Sequence, residues 1–166
     1  MKRHWLFKSE PNSYSWDDLV QDKVAEWDGV RNYTARNLLR DAIKIDDLVL
    51  FYHSNSKPSA IIGIARVVKN GYPDHTAWDL GSEHPDPKSS PENPIWYMVD
   101  IIPVRKFTRE ISLSEIKAVP ELSEMVLVKQ SRLSVQPITH QEFEVILKLS
   151  ASYYVISYIN KLLDAH

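Results

Sequence analysis

The chain contains the stretch Asp47-Leu48-Val49-Leu50-Phe51-Tyr52-His53, a run of apolar residues that begins and ends with a polar one. Its length and its content of aliphatic and aromatic residues are typical of a buried β-strand. A second run, residues 60–69, follows a polar turn and contains Gly63, which predicts a β-bulge or a close backbone approach. The sequence therefore predicts two strands on either side of this turn.

Strand and helix patterns alternate irregularly on both sides of this pair. Residues 4–10 alternate in the manner of a half-buried strand, and residues 95–107 and 126–128 predict further strands. Helices are predicted after residues of N-cap type: Ser15, Asn32, Ser112 and Thr139. Because the strand–helix rhythm of a doubly wound sheet is missing, we expect an α+β fold on a curved or barrel-like mixed sheet.

The chain length fits one domain with a short appendage. We expect a domain over residues 1–150 and an amphipathic helix over residues 151–166, where Val155, Ile159 and Leu162 recur at helical spacing. This helix either docks on its own core or mediates self-association as a homodimer. Residues 71–94 form a long loop, and loops of this length are usually functional or disordered. Trp78 argues against simple disorder there.

Composition limits the class of protein. The 166 residues carry a formal net charge of −2 and no cysteine, which excludes disulfides and thiolate nucleophiles. No segment predicts a signal peptide or a membrane span, so we expect a cytoplasmic protein, or a nuclear one in a eukaryote. The chain lacks the overall positive charge that attracts duplex DNA without sequence specificity. Its short basic stretches could still converge in the fold into a local cationic rim.

The sequence contains none of the common catalytic motifs considered next. The chain has four glycines, with no phosphate-binding loop and no nucleophile elbow. Ser9 and His53 lack the signatures of a hydrolase triad, and nothing fixes the separation of Glu10 and Asp28 as a carboxylate pair. We therefore expect no enzymatic activity, no cofactor and no metal.

Aromatic residues are the stronger signal. Five tryptophans are present, and Trp27 precedes a glycine turn and the predicted cap Asn32. An indole at such a place can form the wall of a cavity and stack on a flat ligand, which contributes about 1–3 kcal/mol per base. The helix that begins at Asn32, flanked by Arg31 and Arg36, could hold a phosphate near that base.

Several blocks of sequence together resemble one family, the EVE domain. They occur in the family order and cover roughly residues 3–148. The blocks are residues 5–11 (WLFKSEP), 27–33 (WDGVRNY), 47–54 (DLVLFYHS), 63–65 (GIA), 72–74 (YPD), 77–79 (AWD) and 127–137 (LVKQSRLSVQP). The resemblance implies a PUA-like fold, which is a curved and mostly antiparallel sheet with helices around it. It also implies kinship with the YTH readers of methylated adenine.

The resemblance further implies recognition of a modified base, notably a modified cytosine in DNA, that is flipped into an aromatic pocket. The residues expected to form the base pocket are Ser9, Trp27, Asn32, Tyr52, His53 and Trp78. Those expected to contact the nucleic-acid backbone are Lys8, Arg31, Arg36, Lys129, Gln130 and Arg132. Burial of a methyl group adds only about 0.8 kcal/mol, so we expect discrimination against the unmodified base of about tenfold or less.

Two other hypotheses stay open at this point. One is an enzyme that acts on a nucleotide or on RNA. The other is an interaction module that recruits a partner through the long loop and the terminal helix.

Overall fold

The computed structural model describes residues 2–129 and 132–151 and contains one six-stranded sheet. The strands are β1 (His4–Ser9), β2 (Ala25–Glu26), β3 (Leu48–His53), β4 (Ala60–Pro73), β5 (Tyr97–Ser112) and β6 (Val135–Ile138). Their order across the sheet is β2-β5-β4-β3-β1-β6. The pair β1–β3 is parallel, and the other four pairs are antiparallel. The predicted α+β class and mostly antiparallel sheet are confirmed, and within the described residues the sheet is open rather than closed into a barrel.

Short helices surround the sheet. The α-helices are α1 (Trp16–Asp22), α2 (Tyr33–Asn37), α3 (Leu113–Ala118), α4 (Val126–Lys129) and α5 (His140–Ser150). A π-helical turn, Leu38–Ala42, extends α2, and 3₁₀ turns occur at His75–Trp78 and Pro120–Leu122. All four predicted N-caps are confirmed, since each of these side chains accepts a hydrogen bond from a first-turn backbone amide: Ser15, Asn32, Ser112 and Thr139.

Three sequence predictions need correction. Residues 126–128 form helix α4 rather than a strand, because the segment closes helical turns to Met125 and buries only Leu127 fully. The short strands β2 and β6 were not predicted. Strand β1 is buried on both faces rather than half-buried, since its Trp5, Leu6 and Phe7 are all inaccessible to solvent.

The sheet separates two hydrophobic clusters. Trp5, Phe7 and Phe51 belong to the cluster on one face, whereas Leu6 and Leu50 belong to the cluster on the other. This division follows from the alternation of side chains along each strand. The close approach predicted at Gly63 is confirmed, because a Cβ atom there would lie 2.5 Å from the Arg105 carbonyl oxygen.

Asp47 fixes the start of the parallel pair β1–β3. Its buried carboxylate accepts hydrogen bonds from the Trp5 indole (2.9 Å) and from the backbone amides of Arg3 and Lys44 (both 3.0 Å). The ends of β1 and β3 are also joined, since Ser54 N–H donates to Ser9 O over 2.9 Å. The carboxyl end of β1 is therefore held at a defined place, which matters for the site described below.

Among residues 2–129 and 132–151, no helix is long and apolar enough to cross a bilayer. The helix predicted over residues 151–166 lies outside the described part of the chain except for Ala151, so this helix, its role and the predicted homodimer stay predictions.

Candidate functional site

A cavity of about 670 Å³ lies at the carboxyl end of β1. Four parts of the chain form its walls: the end of β1 with the turn after it, β2 with the segment that follows it, the first 3₁₀ turn with the loop after it, and the residue before β6. The lining residues are Lys8, Ser9, Glu10, Ser13, Tyr14, Glu26, Trp27, Asp28, Gly29, Val30, Arg31, Thr76, Gly81, Ser82, Glu83, His84 and Ser134.

Trp27 is the aromatic wall of this cavity. Its indole packs against the rings of Phe7 and Phe51, with centroid distances of 5.3 and 5.6 Å, and it is only 8% exposed. Its backbone N–H donates to Val99 O over 2.8 Å. Trp27 is thus anchored in the core and also faces the cavity, so it can offer a rigid stacking surface without a large loss of side-chain entropy on binding.

The buried carboxylate of Asp74 holds the segment after Trp27 in place. Its Oδ2 accepts from the backbone N–H of Gly29 (2.9 Å) and from Arg31 Nη1 (2.8 Å), and its Oδ1 accepts from Thr76. Although burial opposes ionisation, the hydrogen bonds from Thr76, Arg31 and Gly29 keep the pKa of Asp74 below its usual value. The carboxylate therefore stays charged at neutral pH.

Arg31 and Gly29 fix the opposite wall at His84. The Arg31 guanidinium donates to the His84 carbonyl oxygen through Nε (3.1 Å) and Nη2 (2.7 Å). Gly29 has a φ of +78°, and a Cβ atom there would lie 2.7 Å from the His84 ring. Only glycine satisfies both conditions without strain, so the loop that carries His84 rests directly on the Gly29 turn.

The charge of the cavity is predominantly negative. Four of its lining residues are acidic: Glu10, Glu26, Asp28 and Glu83. Two lining residues are basic: Arg31 is paired with Asp74, and the Lys8 ammonium lies 5.9 Å from the centroid of the Tyr52 ring, on the other face of the sheet. Desolvation, with the nearby charge of Asp74, raises the pKa of Asp28. Such a cavity repels a phosphate and suits a neutral, flat group that donates hydrogen bonds.

Two of the six predicted base-pocket residues, Ser9 and Trp27, line this cavity. Ser9 Oγ donates to Tyr14 O over 2.5 Å, so in this geometry the Ser9 oxygen faces a ligand as an acceptor. The cavity therefore opens beside Ser9, and Asn32 is not among its lining residues.

Asn32 and Trp78 do not line the cavity. The Asn32 side chain accepts from Ala35 N–H over 3.0 Å as the cap of α2, which occupies its carbonyl oxygen. Trp78 ends the 3₁₀ turn and is half-buried. The direction of its side chain could not be read from the sequence, because it depends on how the long loop packs.

Tyr52 and His53 also lie elsewhere. Tyr52 points to the other face of the sheet and joins the second hydrophobic cluster, and burial raises its pKa. His53 lines a separate cavity of about 490 Å³ together with Trp16, Lys106 and Arg109, and its Nε2 accepts from Trp16 N–H over 3.1 Å. Burial lowers the pKa of His53, so the ring is neutral at pH 7.

Five of the six predicted backbone-contacting residues are described by the structure, and these five are dispersed. Lys8 and Arg31 line the cavity, although Arg31 is engaged with Asp74 and His84. Arg36 is directed away, since its guanidinium donates to the Ile95 carbonyl and to Asn37. Lys129 pairs with Glu124, and Arg132 is exposed two residues before the lining residue Ser134. Gln130 lies outside the described residues.

Sequence reasoning missed two residues that shape the site. Asp28 lies within the WDG block that carries the family resemblance, so its position beside Trp27 was a usable signal. His84 belongs to the long loop, and its contact with Gly29 depends on tertiary packing that no local pattern reveals.

Residues 3–149 of the chain match the EVE domain. This chain belongs to the EVE domain family. Thymocyte nuclear protein 1 of Homo sapiens is a relative that is 44% identical over 168 residues, a match that covers 90% of this chain and 74% of the human protein. The corresponding protein of Danio rerio is 41% identical, and the match covers 87% of this chain and 71% of that protein.

Solved structures agree with this assignment to the EVE family. Human thymocyte nuclear protein 1 (THYN1) in complex with 5-methylcytosine containing DNA superposes with a TM-score of 0.86 at 43% identity, covering 91% of this chain and 99% of that one. A hypothetical protein from Leishmania major superposes with a TM-score of 0.87 at 46% identity, covering 90% of this chain and 95% of that one. These matches confirm the family resemblance and the fold that it implied.

Proposed function

We propose that this chain is a non-catalytic reader of modified cytosine in DNA, and that it holds one flipped base against Trp27 in the cavity beside β1. The observation that carries the proposal is the placement of a rigid, cavity-lining indole in an EVE domain whose human relative has been crystallised with 5-methylcytosine containing DNA. Ser9 and Asp28 supply polar groups beside that indole.

The energetics of a flipped base fit such a cavity. Extrusion of a base costs a few kcal/mol, and stacking on one aromatic wall returns about 1–3 kcal/mol. The remaining free energy must come from hydrogen bonds to the base edge and from contacts to phosphates outside the acidic cavity. We propose that the exposed Arg132 contacts a phosphate, and that Lys8, Lys129 and Gln130 are further backbone contacts.

Selectivity for the methyl group should be modest by this mechanism. A methyl group buried against the indole gains about 0.8 kcal/mol, which corresponds to a few-fold preference over cytosine. The protein would then act as a binding module and would release the oligonucleotide unchanged. Recovery of intact DNA after long incubation, judged by mass spectrometry, checks the non-catalytic part of the proposal.

The proposal is tested with Trp27→Phe and a matched control, Trp16→Phe. Both tryptophans are buried in the same hydrophobic cluster, but Trp16 does not line this cavity. Fluorescence anisotropy with a duplex that carries one 5-methylcytosine should give an affinity about fivefold or more lower for Trp27→Phe, through loss of stacking area, and little change for Trp16→Phe. Equal affinities for the parent and Trp27→Phe, with both proteins folded, would contradict the proposal.

A further inference from the structure

Methylated cytosine has a close competitor in DNA, because thymine carries the same methyl group on the same ring carbon. The two bases differ at C4, where cytosine has an amino group that donates and thymine has a carbonyl oxygen that accepts. An aromatic wall and an apolar corner cannot distinguish them. If the cavity binds a methylated cytosine, a polar group in it must read position C4.

Asp28 is placed to do this. It directly follows Trp27, and the backbone on both sides of it is fixed: Trp27 N–H donates to Val99 O over 2.8 Å, and Gly29 N–H donates to Asp74 Oδ2 over 2.9 Å. Asp28 lines the same cavity as the indole, and its carboxylate forms no salt bridge within residues 2–129 and 132–151. Its backbone is therefore fixed, and its carboxylate is not in direct contact with a cation there, although the charges of Arg31 and His84 act on it.

A second lining side chain, Ser9, favours the same edge of the base. Ser9 Oγ directs its proton to the Tyr14 carbonyl oxygen, so it too presents an acceptor to the cavity. An ionised carboxylate is an acceptor only. Acceptors attract an amino group and repel a carbonyl oxygen, so this wall both favours cytosine and disfavours thymine.

We infer that the Asp28 carboxylate accepts a hydrogen bond from the C4 amino group of the bound base, and that Asp28 is thereby the specificity-determining residue that separates methylated cytosine from thymine. This inference rests on the proposed function. It adds a chemical class to it: the ligand is a 4-aminopyrimidine, with or without a substituent at C5.

The test uses four oligonucleotides that are identical except for one central, mismatched pyrimidine: cytosine, 5-methylcytosine, uracil or thymine. Within this set, cytosine and 5-methylcytosine, like uracil and thymine, differ only in the methyl group. Cytosine and uracil, like 5-methylcytosine and thymine, differ only at the N3–C4 edge. Affinities of the parent, Asp28→Asn and Glu83→Gln are measured by fluorescence anisotropy. Glu83→Gln is the matched control, because it removes one negative charge from the same cavity.

For the parent, we expect 5-methylcytosine to bind about tenfold or more tightly than thymine, and cytosine to exceed uracil by a similar factor. In Asp28→Asn both ratios should fall to about threefold or less, because an amide both donates and accepts. The ratio of 5-methylcytosine to cytosine should not change. Glu83→Gln should raise all four affinities through reduced repulsion of the DNA and leave every ratio as it is.

The two proposals fail differently in this experiment. If the parent prefers 5-methylcytosine to thymine but Asp28→Asn retains that preference, the role of Asp28 is overturned while the reader function stands. If the parent binds all four bases no better than an abasic site, the proposed function itself is overturned. Thermal melting of each variant verifies that the fold is intact.

Discussion

The Arg31 guanidinium lies 2.8 Å from the buried carboxylate of Asp74 and donates two further hydrogen bonds to the His84 carbonyl. Through Asp74 the same unit also holds the Gly29 amide. One ion pair therefore links the segment that carries Trp27 and Asp28 to the loop on the other side of the cavity. We interpret Arg31 as a positioning residue for the site, and its predicted contact with the nucleic-acid backbone stays a prediction.

Asp74→Ala should therefore weaken both stability and binding. The change leaves a partly buried arginine and a backbone amide without their acceptor, and loss of one partner of a buried pair typically costs about 3–5 kcal/mol. Because the Arg31 side chain is 21% exposed, we expect the lower end of that range. Chemical denaturation measures the change in the free energy of unfolding. A loss below about 1 kcal/mol would show that the network does not organise this region.

The lowered pKa of Asp74 predicts that the stability of the protein depends on pH. The pKa of Asp74 is depressed in the folded protein, so its contribution is present above the unfolded value of about 4 and is lost as the pH falls through the folded value. Asp28, whose pKa is raised, acts with the opposite sign. The comparison is therefore made between Asp28→Asn and the double variant Asp28→Asn, Asp74→Ala.

We expect the difference in unfolding free energy between these two proteins to be constant between about pH 5 and 7 and to shrink below about pH 4. Denaturant titrations at a series of pH values give this difference directly. A difference that stays constant down to pH 3 would mean that the charge of Asp74 contributes nothing.

A comparison of Arg132 with Arg36 distinguishes an arginine that contacts a phosphate from one that has a structural role. Arg132 is exposed near the cavity wall, so Arg132→Ala should lower the affinity for methylated and unmethylated DNA by the same factor. It should also reduce the slope of log affinity against log salt by about one. Arg36→Ala should change neither quantity, because Arg36 donates to the Ile95 carbonyl. If Arg132→Ala alters the preference for the methylated base instead, Arg132 contacts the base and not the backbone.

Local chemistry made much of the fold predictable. The capping residues Ser15, Asn32, Ser112 and Thr139 mark helix starts through a hydrogen bond that spans three residues, so the sequence contains the whole interaction. The segments that failed are those decided by distant partners. Strand β6 exists because it pairs with β1, and residues 126–128 are apolar enough to suit either a strand or a helix.

The candidate site shows the same difference between residues placed by a local motif and residues placed by distant contacts. Ser9 and Trp27 were found because a motif fixes them near the turn after β1 and the turn after β2, and the fold brings those turns together. Tyr52 and His53 are adjacent in the chain but lie on opposite faces of β3, so a motif that contains both could not place both in one cavity. The walls supplied by Thr76, Ser82 and His84 come from the long loop, whose course depends on Asp74 and Arg31.

The most direct test of the central claim is nuclear magnetic resonance of a complex with DNA that carries one ¹³C-methyl-labelled 5-methylcytosine. We expect an upfield shift of the methyl proton signal and nuclear Overhauser contacts from it to the Trp27 indole. In Trp27→Phe the upfield shift should be smaller and the contacts to the indole absent. A methyl group that retains the shift and contacts of a base stacked within the duplex would show that no base enters the cavity.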